Sequence, residues 1–355
     1  MKRSQLSHLS SLSAAAAATL MLAGCGTGAE TFELRGQTMG TTYSIRVVAP
    51  ADGSPVPLEP LQQRVAMRLE DLENVFSTWR PDSEVSRFNA HAGEEWFAVS
   101  PAFLEVLNEA GGVSELTGGA FDVTAGPLVE LWGFGAVGDA GPVPGGTAAG
   151  IPDREMVDRL LAATGFAYLR WRESPPAVRR NRPGVQLDFS AIAKGYAVDE
   201  VWGLLSEAGL SDYLVEIGGE LRTRGLRADG RAWSIGIESA DRTGVTEAVP
   251  LRDIAIATSG DYRNFFEYEG RRYSHVLDPR TGRPVSHELT AVSVISTTTV
   301  KADALATALL VLGPETGLEL AEQEQIATRL VVRSTDGLTV LRTPAFEAAL
   351  TGNRI

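Results

Sequence analysis

The 355-residue sequence is poor in cysteine, in histidine and in positive charge. Its single cysteine, Cys25, excludes an intramolecular disulfide and any zinc or iron–sulfur site that needs several cysteines. Lys and Arg number 32 against 45 Asp and Glu, which gives a formal charge of -13. An acidic surface of this kind repels a nucleic-acid duplex, so nucleic acid is not expected as a partner.

Long apolar runs are also missing from most of the chain. Beyond residue 25, no stretch approaches the roughly 18 uninterrupted apolar residues that a membrane-spanning helix needs. The composition is otherwise that of a folded protein, with 44% hydrophobic and 22% charged residues, which excludes wholesale disorder, collagen and coiled coil. At roughly 150 residues per domain, the length allows one large domain or two modest ones.

The lone cysteine ends a segment with the layout of an export signal. Lys2 and Arg3 precede a mostly apolar, uncharged stretch over 11–22, which is too short to span a bilayer. The stretch leads into a Leu-Ala-Gly-Cys sequence that ends at Cys25 and resembles the lipobox of bacterial lipoproteins. That resemblance implies that Cys25 is lipidated and becomes the first residue of the mature chain. The alternative is an ordinary signal peptide with a chance cysteine.

The expected organisation is a signal peptide over 1–24, a lipid-anchored linker over 25–30 and one folded unit over 31–355. Removal of the signal peptide takes away two positive charges and no acidic residue, so the formal charge of the mature chain changes from -13 to -15. Residues 135–150 contain six glycines and two prolines and are predicted to be a flexible loop insertion.

The predicted secondary structure mixes helices and strands. Apolar residues at three- and four-residue spacing predict helices, and alternating β-branched residues predict strands. Helices are predicted over 60–76, 101–111, 153–164, from residue 190 onward, and 299–312. Strands are predicted over 41–48, 185–189, 213–217, 233–237, 254–258, 291–296, 331–333 and 339–341. Because no regular βαβ units recur, the predicted fold class is α+β, with mixed and antiparallel sheets packed against helices.

Two glycine-rich segments predict turns at which a ligand can approach the backbone. The first, Gly36–Tyr43, places glycines around Met39 and taken alone is a simple loop. The second, Gly118–Pro127, surrounds Phe121 and Asp122 with small residues. It offers backbone amides, an aromatic face and a carboxylate to a heterocycle. Alternatively, Asp122 caps a glycine-rich turn as an Asx-turn.

A third segment, 187–196, predicts a turn from strand to helix. The strand ends at Asp188, and Ser190 is the expected N-cap of the next helix. The free amides and the positive end of the helix dipole favour phosphate there, and Lys194 would add a positive charge. The segment does not match the P-loop pattern of Walker-type NTPases. The alternative is plain capping by Ser190 beside a surface lysine.

A fourth segment, 299–310, predicts a helix with one polar face. Asp303 and Thr307 are four residues apart and therefore share that face. A carboxylate and a hydroxyl, with carbonyl oxygens nearby, are hard oxygen ligands that suit Mg²⁺ rather than zinc. Alternatively, Asp303 stabilises the helix dipole and Thr307 is merely buried.

Among the four histidines, His275 is the candidate acid–base group. It lies at the predicted end of a strand, beside a turn over Asp278–Gly282. A histidine at a strand end with a carboxylate nearby suits proton transfer, and the alternative is a histidine hydrogen-bonded within the turn. No Gly-x-Ser-x-Gly elbow, HExxH or GxGxxG motif accompanies it, so hydrolase, zinc-protease and Rossmann interpretations lack support.

Eight stretches resemble, in their order and spacing, the ApbE family of FAD:protein FMN transferases. They run from Gly36 to Gly313 and read GQTMGTTY, FSTWRPDSEVSRFN, GGAFDVTAGPLVELWGFG, LDFSAIAKGYAVD, VEIGGELR, AIATSGDYRNFF, SHVLDPRTGRP and TVKADALATALLVLG. The resemblance implies an ApbE-like, T-fold-related architecture in a single large catalytic unit. It also implies Mg²⁺-dependent transfer of FMN from FAD to a threonine or serine hydroxyl of a target flavoprotein, with release of AMP.

The resemblance further implies a set of site residues. FAD contacts are expected at Met39, Trp79, Ala120, Phe121, Asp122, Asp188, Lys194, Ser259, Gly260 and Val276. Mg²⁺ is expected on Asp303 and Thr307, with the backbone carbonyls of Ala191 and Ala306. His275 and Asp303 are the implied catalytic residues, His275 either as the base or as a group that positions phosphate.

The implied partners are FAD, flavoprotein subunits of membrane redox complexes, and a membrane reached through the lipid anchor. Because many family members are periplasmic lipoproteins, we expect the chain at the periplasmic face of the cell membrane, with the inner membrane favoured over the outer. Two alternatives stay open. One is a pyrophosphatase that splits FAD into FMN and AMP at the same metal site, and the other is a non-catalytic FAD-binding lipoprotein.

Overall fold

The structure, a computed structural model, describes residues 29–135, 151–238, 245–261, 264–335 and 337–351. The predicted signal peptide, Cys25 and positions 136–150 of the predicted loop lie outside these residues. No helix among the described residues is both long enough and apolar enough to cross a membrane.

Helices and strands alternate irregularly along this part of the chain, and we number each kind in chain order. The helices are α1 (Leu58–Phe76), α2 (Glu84–Ala90), α3 (Pro101–Leu116), α4 (Gly126–Leu131), α5 (Arg154–Leu161), α6 (Ala193–Glu207), α7 (Thr299–Leu312), α8 (Pro314–Gln323) and α9 (Pro344–Leu350). The strands are β1 (Thr31–Thr38), β2 (Thr41–Val48), β3 (Phe97–Ala98), β4 (Leu169–Glu173), β5 (Pro176–Arg180), β6 (Tyr213–Ile217), β7 (Glu220–Arg224), β8 (Trp233–Glu238), β9 (Val245–Leu251), β10 (Ala255–Gly260), β11 (Phe265–Tyr268), β12 (Arg271–Ser274), β13 (Leu277–Asp278), β14 (Arg283–Pro284), β15 (Leu289–Ser296), β16 (Ala327–Ser334) and β17 (Gly337–Arg342).

An eight-stranded sheet in the order β1-β2-β6-β7-β10-β15-β16-β17 forms the centre of the fold. Every neighbouring pair in this sheet is antiparallel. Smaller sheets are formed by β3-β5-β4, β8-β9, β11-β12 and β13-β14.

The central sheet is covered on both faces. Because side chains alternate along a strand, Val215 faces the core that includes α1, α3, α6 and α7, whereas Leu214 faces the other side. That second side carries the β8–β9 hairpin and α9, with Trp233 and Phe346 buried against it. Helices packed on an antiparallel sheet are the α+β class predicted from the sequence, so that prediction is confirmed.

Most of the predicted elements form close to their predicted bounds. Helix α7 spans the predicted 299–312 and ends at Gly313, whose φ of 86° suits glycine. Strands β16 and β17 form the predicted antiparallel hairpin. The prediction of a strand over residues 185–189 is wrong. They pair with no strand among the described residues, and the alternation of Val185, Leu187 and Phe189 reflects burial only.

The predicted start of α6 is also wrong. The helix begins at Ala193 with Ile192 as its N-cap, and not at Ser190. Ser190 donates its backbone N–H to Oδ1 of Asp188 over 2.8 Å, and its hydroxyl donates to the same oxygen. The serine therefore closes a local turn around the aspartate, an alternative that short polar side chains offer in competition with helix capping.

The N-termini of α6 and α7 cap each other. Asp199 of α6 accepts the backbone N–H groups of Thr299 and Val300, at 3.0 and 2.9 Å. In return, Asp303 of α7 accepts the N–H of Gly195 in the first turn of α6, at 2.9 Å. Each carboxylate satisfies amides that a helix start leaves without intrahelical partners. Gly195 is needed for this close approach because a Cβ there would lie 2.6 Å from the Thr299 carbonyl oxygen.

Candidate active site

A cavity of about 390 Å³ lies beside the start of α6. Its walls come from α6 and α7, from the ends of β7 and β10, and from the segments between α1 and α2, between α3 and α4, and after β12. Thirteen of the predicted site residues line it: Trp79, Ala120, Phe121, Asp122, Asp188, Ala191, Lys194, Ser259, Gly260, His275, Val276, Asp303 and Thr307. The fold thus brings residues from separate sequence stretches into one cavity.

Met39 and Ala306 are the two predicted site residues of the folded unit that lie outside this lining. Met39 occupies the turn between β1 and β2 with a φ of 48°, and its N–H donates to Glu73 Oε1 over 2.9 Å. The hydroxyl of Thr38 donates to the same oxygen, so α1 fixes this turn. Ala306 is fully buried in α7, directly before Thr307.

Asp303 is a buried carboxylate in the cavity wall, with only 2% of its surface exposed. Its Oδ2 accepts the Gly195 N–H, which leaves Oδ1 for a ligand. Burial raises the pKa of Asp303 to about 7. The nearby Lys194 opposes this rise, and Glu220 adds to it. A buried carboxylate with this pKa needs a cation beside it to stay ionised at neutral pH.

The oxygen groups around Asp303 fit Mg²⁺. Thr307 lies one turn further along α7, and its Oγ1 is 3.0 Å from Oγ of Ser259. These hydroxyls and the carboxylate are hard oxygen donors, which Mg²⁺ prefers. Within the described ranges, no cluster of three or more His, Cys, Asp or Glu side chains could hold a metal. The donor set therefore suits a cation that also keeps water or substrate oxygens as ligands.

Lys194 forms an ion pair within the cavity wall. Its Nζ lies 2.9 Å from Oε1 of Glu220, a residue only 3% exposed. The second oxygen of Glu220, Oε2, is buried and has no hydrogen-bond partner. With Asp303 ionised, two carboxylates and one ammonium group leave the wall net negative. A phosphate-bearing ligand therefore needs an added cation here.

The expected phosphate cradle at the start of α6 differs from the structure. We expected free amides and an open positive charge on Lys194. Instead, the Gly195 N–H is taken by Asp303, and the lysine is paired with Glu220. The positive end of α6 therefore stabilises the buried carboxylate of Asp303 rather than remaining open to phosphate.

Asp122 and Asp188 line the cavity, and both accept hydrogen bonds from the protein. Oδ1 of Asp122 accepts the N–H of Thr124 over 2.8 Å and its hydroxyl over 2.6 Å, and Oδ2 accepts the Phe166 N–H over 2.8 Å. Burial raises the pKa of Asp122, and these hydrogen bonds oppose the rise. The Asx-turn given as the alternative for Asp122 therefore forms, and it accounts for the hydrogen bonds from Thr124. Asp188 forms a similar turn with Ser190.

His275 directly follows β12, which confirms its predicted place at a strand end. Its backbone N–H and its ring Nδ1 both lie within hydrogen-bond distance of the Asn264 carbonyl oxygen, at 3.1 and 2.8 Å. Because a carbonyl only accepts, Nδ1 carries the proton of the neutral ring and Nε2 carries the lone pair. Burial lowers the pKa of His275 below its ordinary value of 6.5, and Arg272 and Lys194 act in the same direction. A neutral histidine of this kind can accept a proton at neutral pH.

The aromatic rings that line the cavity differ in how exposed they are. Trp79 is 59% exposed, so a face of its indole is open to a ligand, whereas the Phe121 ring is buried in the core. Phe134 packs edge-to-face on His275 with ring centroids 6.2 Å apart.

Three contributors to the site were not predicted: Glu220, Phe134 and the Asn264 carbonyl. An acidic residue directly after the Gly218-Gly219 turn was the available signal for Glu220. The contacts of Phe134 and Asn264 with His275 arise from tertiary packing and have no local sequence signal.

Known proteins match the chain over most of its length. The sequence model of the ApbE family matches residues 39–330. The FAD:protein FMN transferase of Vibrio cholerae (strain O395) is 42% identical over 341 residues, which cover 95% of this chain and 98% of the relative. The enzyme of the same name from Escherichia coli K12 is 34% identical over 325 residues, 90% of each chain.

Solved structures match as well. The flavin transferase ApbE from Vibrio cholerae gives a TM-score of 0.81 at 41% identity, over 91% of this chain and 100% of that one. The apo crystal structure of the Pseudomonas stutzeri flavinyl transferase ApbE gives 0.81 at 40% identity, over 92% and 99%. The family inferred from eight short stretches is therefore confirmed, and the chain is an enzyme of the ApbE family.

Proposed function

We propose that this protein transfers FMN from FAD to a threonine or serine hydroxyl of a target flavoprotein, with Mg²⁺ in the site and AMP as the leaving group. One observation carries the proposal: a single cavity brings the oxygen donors of Asp303 and Thr307 together with a neutral His275. The names of the relatives support FAD as the substrate and FMN as the transferred group.

His275 is the base in this proposal. The acceptor hydroxyl loses its proton as its oxygen bonds to the FMN-side phosphorus and the phosphorus–oxygen bond to AMP breaks. Nε2 of His275 takes that proton, while the Asn264 carbonyl holds the Nδ1 proton and fixes the tautomer. The same carbonyl stabilises the imidazolium that forms, because hydrogen bonding to a charged group favours the charged state.

Asp303 and Thr307 would hold Mg²⁺, with the carbonyls of Ala191 and Ala306 as further ligands in this proposal. When bound, the cation neutralises charge on the pyrophosphate oxygens and on the AMP leaving group. The exposed indole of Trp79 offers a stacking face to the flavin or the adenine. These residues supply positioning and charge balance, which are the main demands of phosphoryl transfer.

The proposal includes a tether through Cys25 to the periplasmic face of the inner membrane, with flavoprotein subunits of membrane redox complexes as acceptors. The lipobox-like sequence before Cys25 supports it. Cys25→Ser is expected to abolish labelling by palmitate and to move the protein from the membrane fraction to the soluble fraction. Palmitate labelling that persists in this variant would contradict the tether.

The transferase activity is tested by incubating the purified protein with FAD, Mg²⁺ and a candidate acceptor subunit. A fluorescent flavin band on a denaturing gel is expected, with AMP released in step with bound FMN. An acceptor whose target threonine is changed to valine serves as the control and should stay dark. AMP release at full rate without acceptor, and no fluorescent band with it, would establish FAD hydrolysis instead. FAD binding that survives chelation and yields no product would establish a non-catalytic flavin-binding protein.

A further inference from the structure

One face of the small sheet β3-β5-β4 concentrates positive charge on this acidic protein. Arg170 and Arg179 are directly opposite each other in the register of β4 and β5, and Arg172 shares their side because residues two apart on a strand face the same way. All three are exposed. The ring of Trp96, just before β3, contacts the guanidinium groups of Arg172 and Arg179, each with Cζ 4.8 Å from the ring centroid. We call these four residues the arginine face.

The three guanidinium groups have no acidic partner within the described part of the chain. Arg170 donates to the backbone carbonyls of Ala167 and Leu169, and Arg172 donates to that of Pro175. Exposed arginines elsewhere commonly bond a carboxylate, as Arg35 does with Glu33 and Arg231 with Asp229.

The like charges of the arginine face repel one another. Arg170 opposite Arg179 is a cross-strand pair of equal sign, and such pairs destabilise a sheet. An anionic surface laid over the face would remove this repulsion. Three cations on one flat sheet with a tryptophan among them therefore suit an extended anionic partner better than a single small anion.

The arginine face lies beside the cavity wall. Arg170 donates to the carbonyl of Ala167, and the preceding residue, Phe166, donates its N–H to Asp122 of the cavity lining over 2.8 Å. The N-terminal end of β1, in contrast, is distant from the cavity. Thr31 is eight residues, about 27 Å of strand, from the β1–β2 turn that lies next to Gly218 of the cavity wall. The chain therefore leaves toward Cys25 at an end remote from the cavity.

We propose that the arginine face docks on the anionic surface of a lipid bilayer. Arginine binds anionic headgroups, and tryptophan favours the interfacial region of a membrane. The six residue-to-residue steps from Cys25 to Thr31 span at most about 20 Å, so a lipid at Cys25 keeps the folded unit beside the bilayer. With a formal charge of -15 after removal of residues 1–24, the rest of the molecule is repelled by an anionic surface. The face therefore sets the orientation of the folded unit on the bilayer.

This inference takes its setting from the proposed lipid anchor, but binding by the face is measured without the anchor. Residues 26–355 contain every described element, and a crystallised relative matches 92% of this chain over 99% of its own length, so this soluble piece folds alone. Its binding is measured by flotation with vesicles of phosphatidylcholine containing phosphatidylglycerol, against vesicles of phosphatidylcholine alone. Preference for the anionic vesicles is expected, and it should weaken as salt is added.

Two triple variants distinguish binding by the arginine face from an effect of the overall charge. Changing Arg170, Arg172 and Arg179 together to glutamine is expected to lower the partition onto anionic vesicles about 100-fold at low salt, roughly fivefold for each arginine. The matched control changes Arg64, Arg271 and Lys301 to glutamine, which removes the same charge from exposed positions elsewhere. The control is expected to retain most of the binding, and melting temperatures verify that both variants fold.

Equal binding by the two triple variants, or no preference for anionic vesicles, would overturn the proposal. Flavin transfer to a soluble acceptor without vesicles is expected to be the same for the arginine-face variant and the original protein. Loss of that transfer with vesicle binding intact would assign the face to the acceptor protein and overturn the bilayer assignment. Failure of the transferase proposal would instead appear as no flavin transfer by any variant, with vesicle binding unaffected.

Discussion

The charged side chains of the cavity wall and those of the arginine face differ in whether they have partners within the protein. In the cavity, Lys194 and Asp303 are each held by another element, Lys194 by Glu220 and Asp303 by the Gly195 amide. On the arginine face the charges are exposed, of one sign and without carboxylate partners in the described residues. Buried charge is tolerated only when it is paired, whereas exposed charge is hydrated and available to an outside partner. Removing one charge should therefore destabilise the cavity wall, whereas on the arginine face it should reduce the repulsion between the arginines.

The largest effect is expected for Asp303→Asn. The asparagine oxygen can still accept the Gly195 N–H, but the negative charge offered to Mg²⁺ is lost. We expect flavin transfer to fall about 1,000-fold at saturating FAD, a loss of the size seen when one group that stabilises transition-state charge is removed. The rate is measured by in-gel flavin fluorescence across a Mg²⁺ titration.

The alanine variant at the same position distinguishes the loss of the hydrogen bond from Gly195 from the loss of the negative charge. Asp303→Ala should lose the same activity and also unfold more easily, because the amide of Gly195 is left without its acceptor. Original rates in Asp303→Asn at low Mg²⁺ would show that this carboxylate does not hold the metal.

A smaller loss is expected for His275→Gln, about 100-fold to 10,000-fold in kcat, which is the range of general base catalysis. As a base, His275 must be unprotonated, so kcat/KM of the original protein should fall as the pH drops through the pKa of this residue. Because burial lowers that pKa, the acid limb is expected below pH 6.5 and should be absent from the variant. Saturating Mg²⁺ keeps Asp303 ionised during the measurement.

His287→Gln is the matched control for the base. His287 contacts Gly313 outside the cavity lining and should be replaced without change in rate or acid limb. An acid limb that survives unchanged in His275→Gln would remove His275 from the role of base.

Glu220→Gln tests the buried ion pair. The substitution removes the carboxylate that pairs with the Lys194 ammonium and leaves Asp303 as the nearby acidic group. We therefore expect a loss of about 2 kcal/mol in the free energy of unfolding, less than for a buried charge left with no opposite charge near it. Urea unfolding monitored by circular dichroism measures the loss. Asp229→Asn, in an exposed pair with Arg231, is the control and should unfold at the same urea concentration as the original protein. Equal midpoints for both variants would contradict the distinction between buried and exposed charge.

Local sequence patterns predicted the parts of the site that local structure determines. Asp303 and Thr307 share a helix face because the 3.6-residue period places them there, and α7 has its predicted bounds. Ser190 was a wrong N-cap because Asp188, two residues earlier, is a competing acceptor for its amide and hydroxyl. Contacts between distant elements have no such signal. The Lys194–Glu220 pair and the contact of Asn264 with His275 both arise only when separate elements pack together.

The smallest effect, and one of opposite sign, is expected for Arg170→Glu on the arginine face. The change replaces a like-charge pair across β4 and β5 with an opposite-charge pair facing Arg179. Cross-strand pairs of this kind contribute about 0.5 kcal/mol, so we expect the free energy of unfolding to rise by that amount despite the loss of hydrogen bonds from Arg170 to two backbone carbonyls. Urea unfolding at low and high salt measures it, and the gain should shrink at high salt because both side chains are exposed. A variant that is less stable at low salt would show that the arginines do not repel one another, and the face would then differ from the cavity only in exposure.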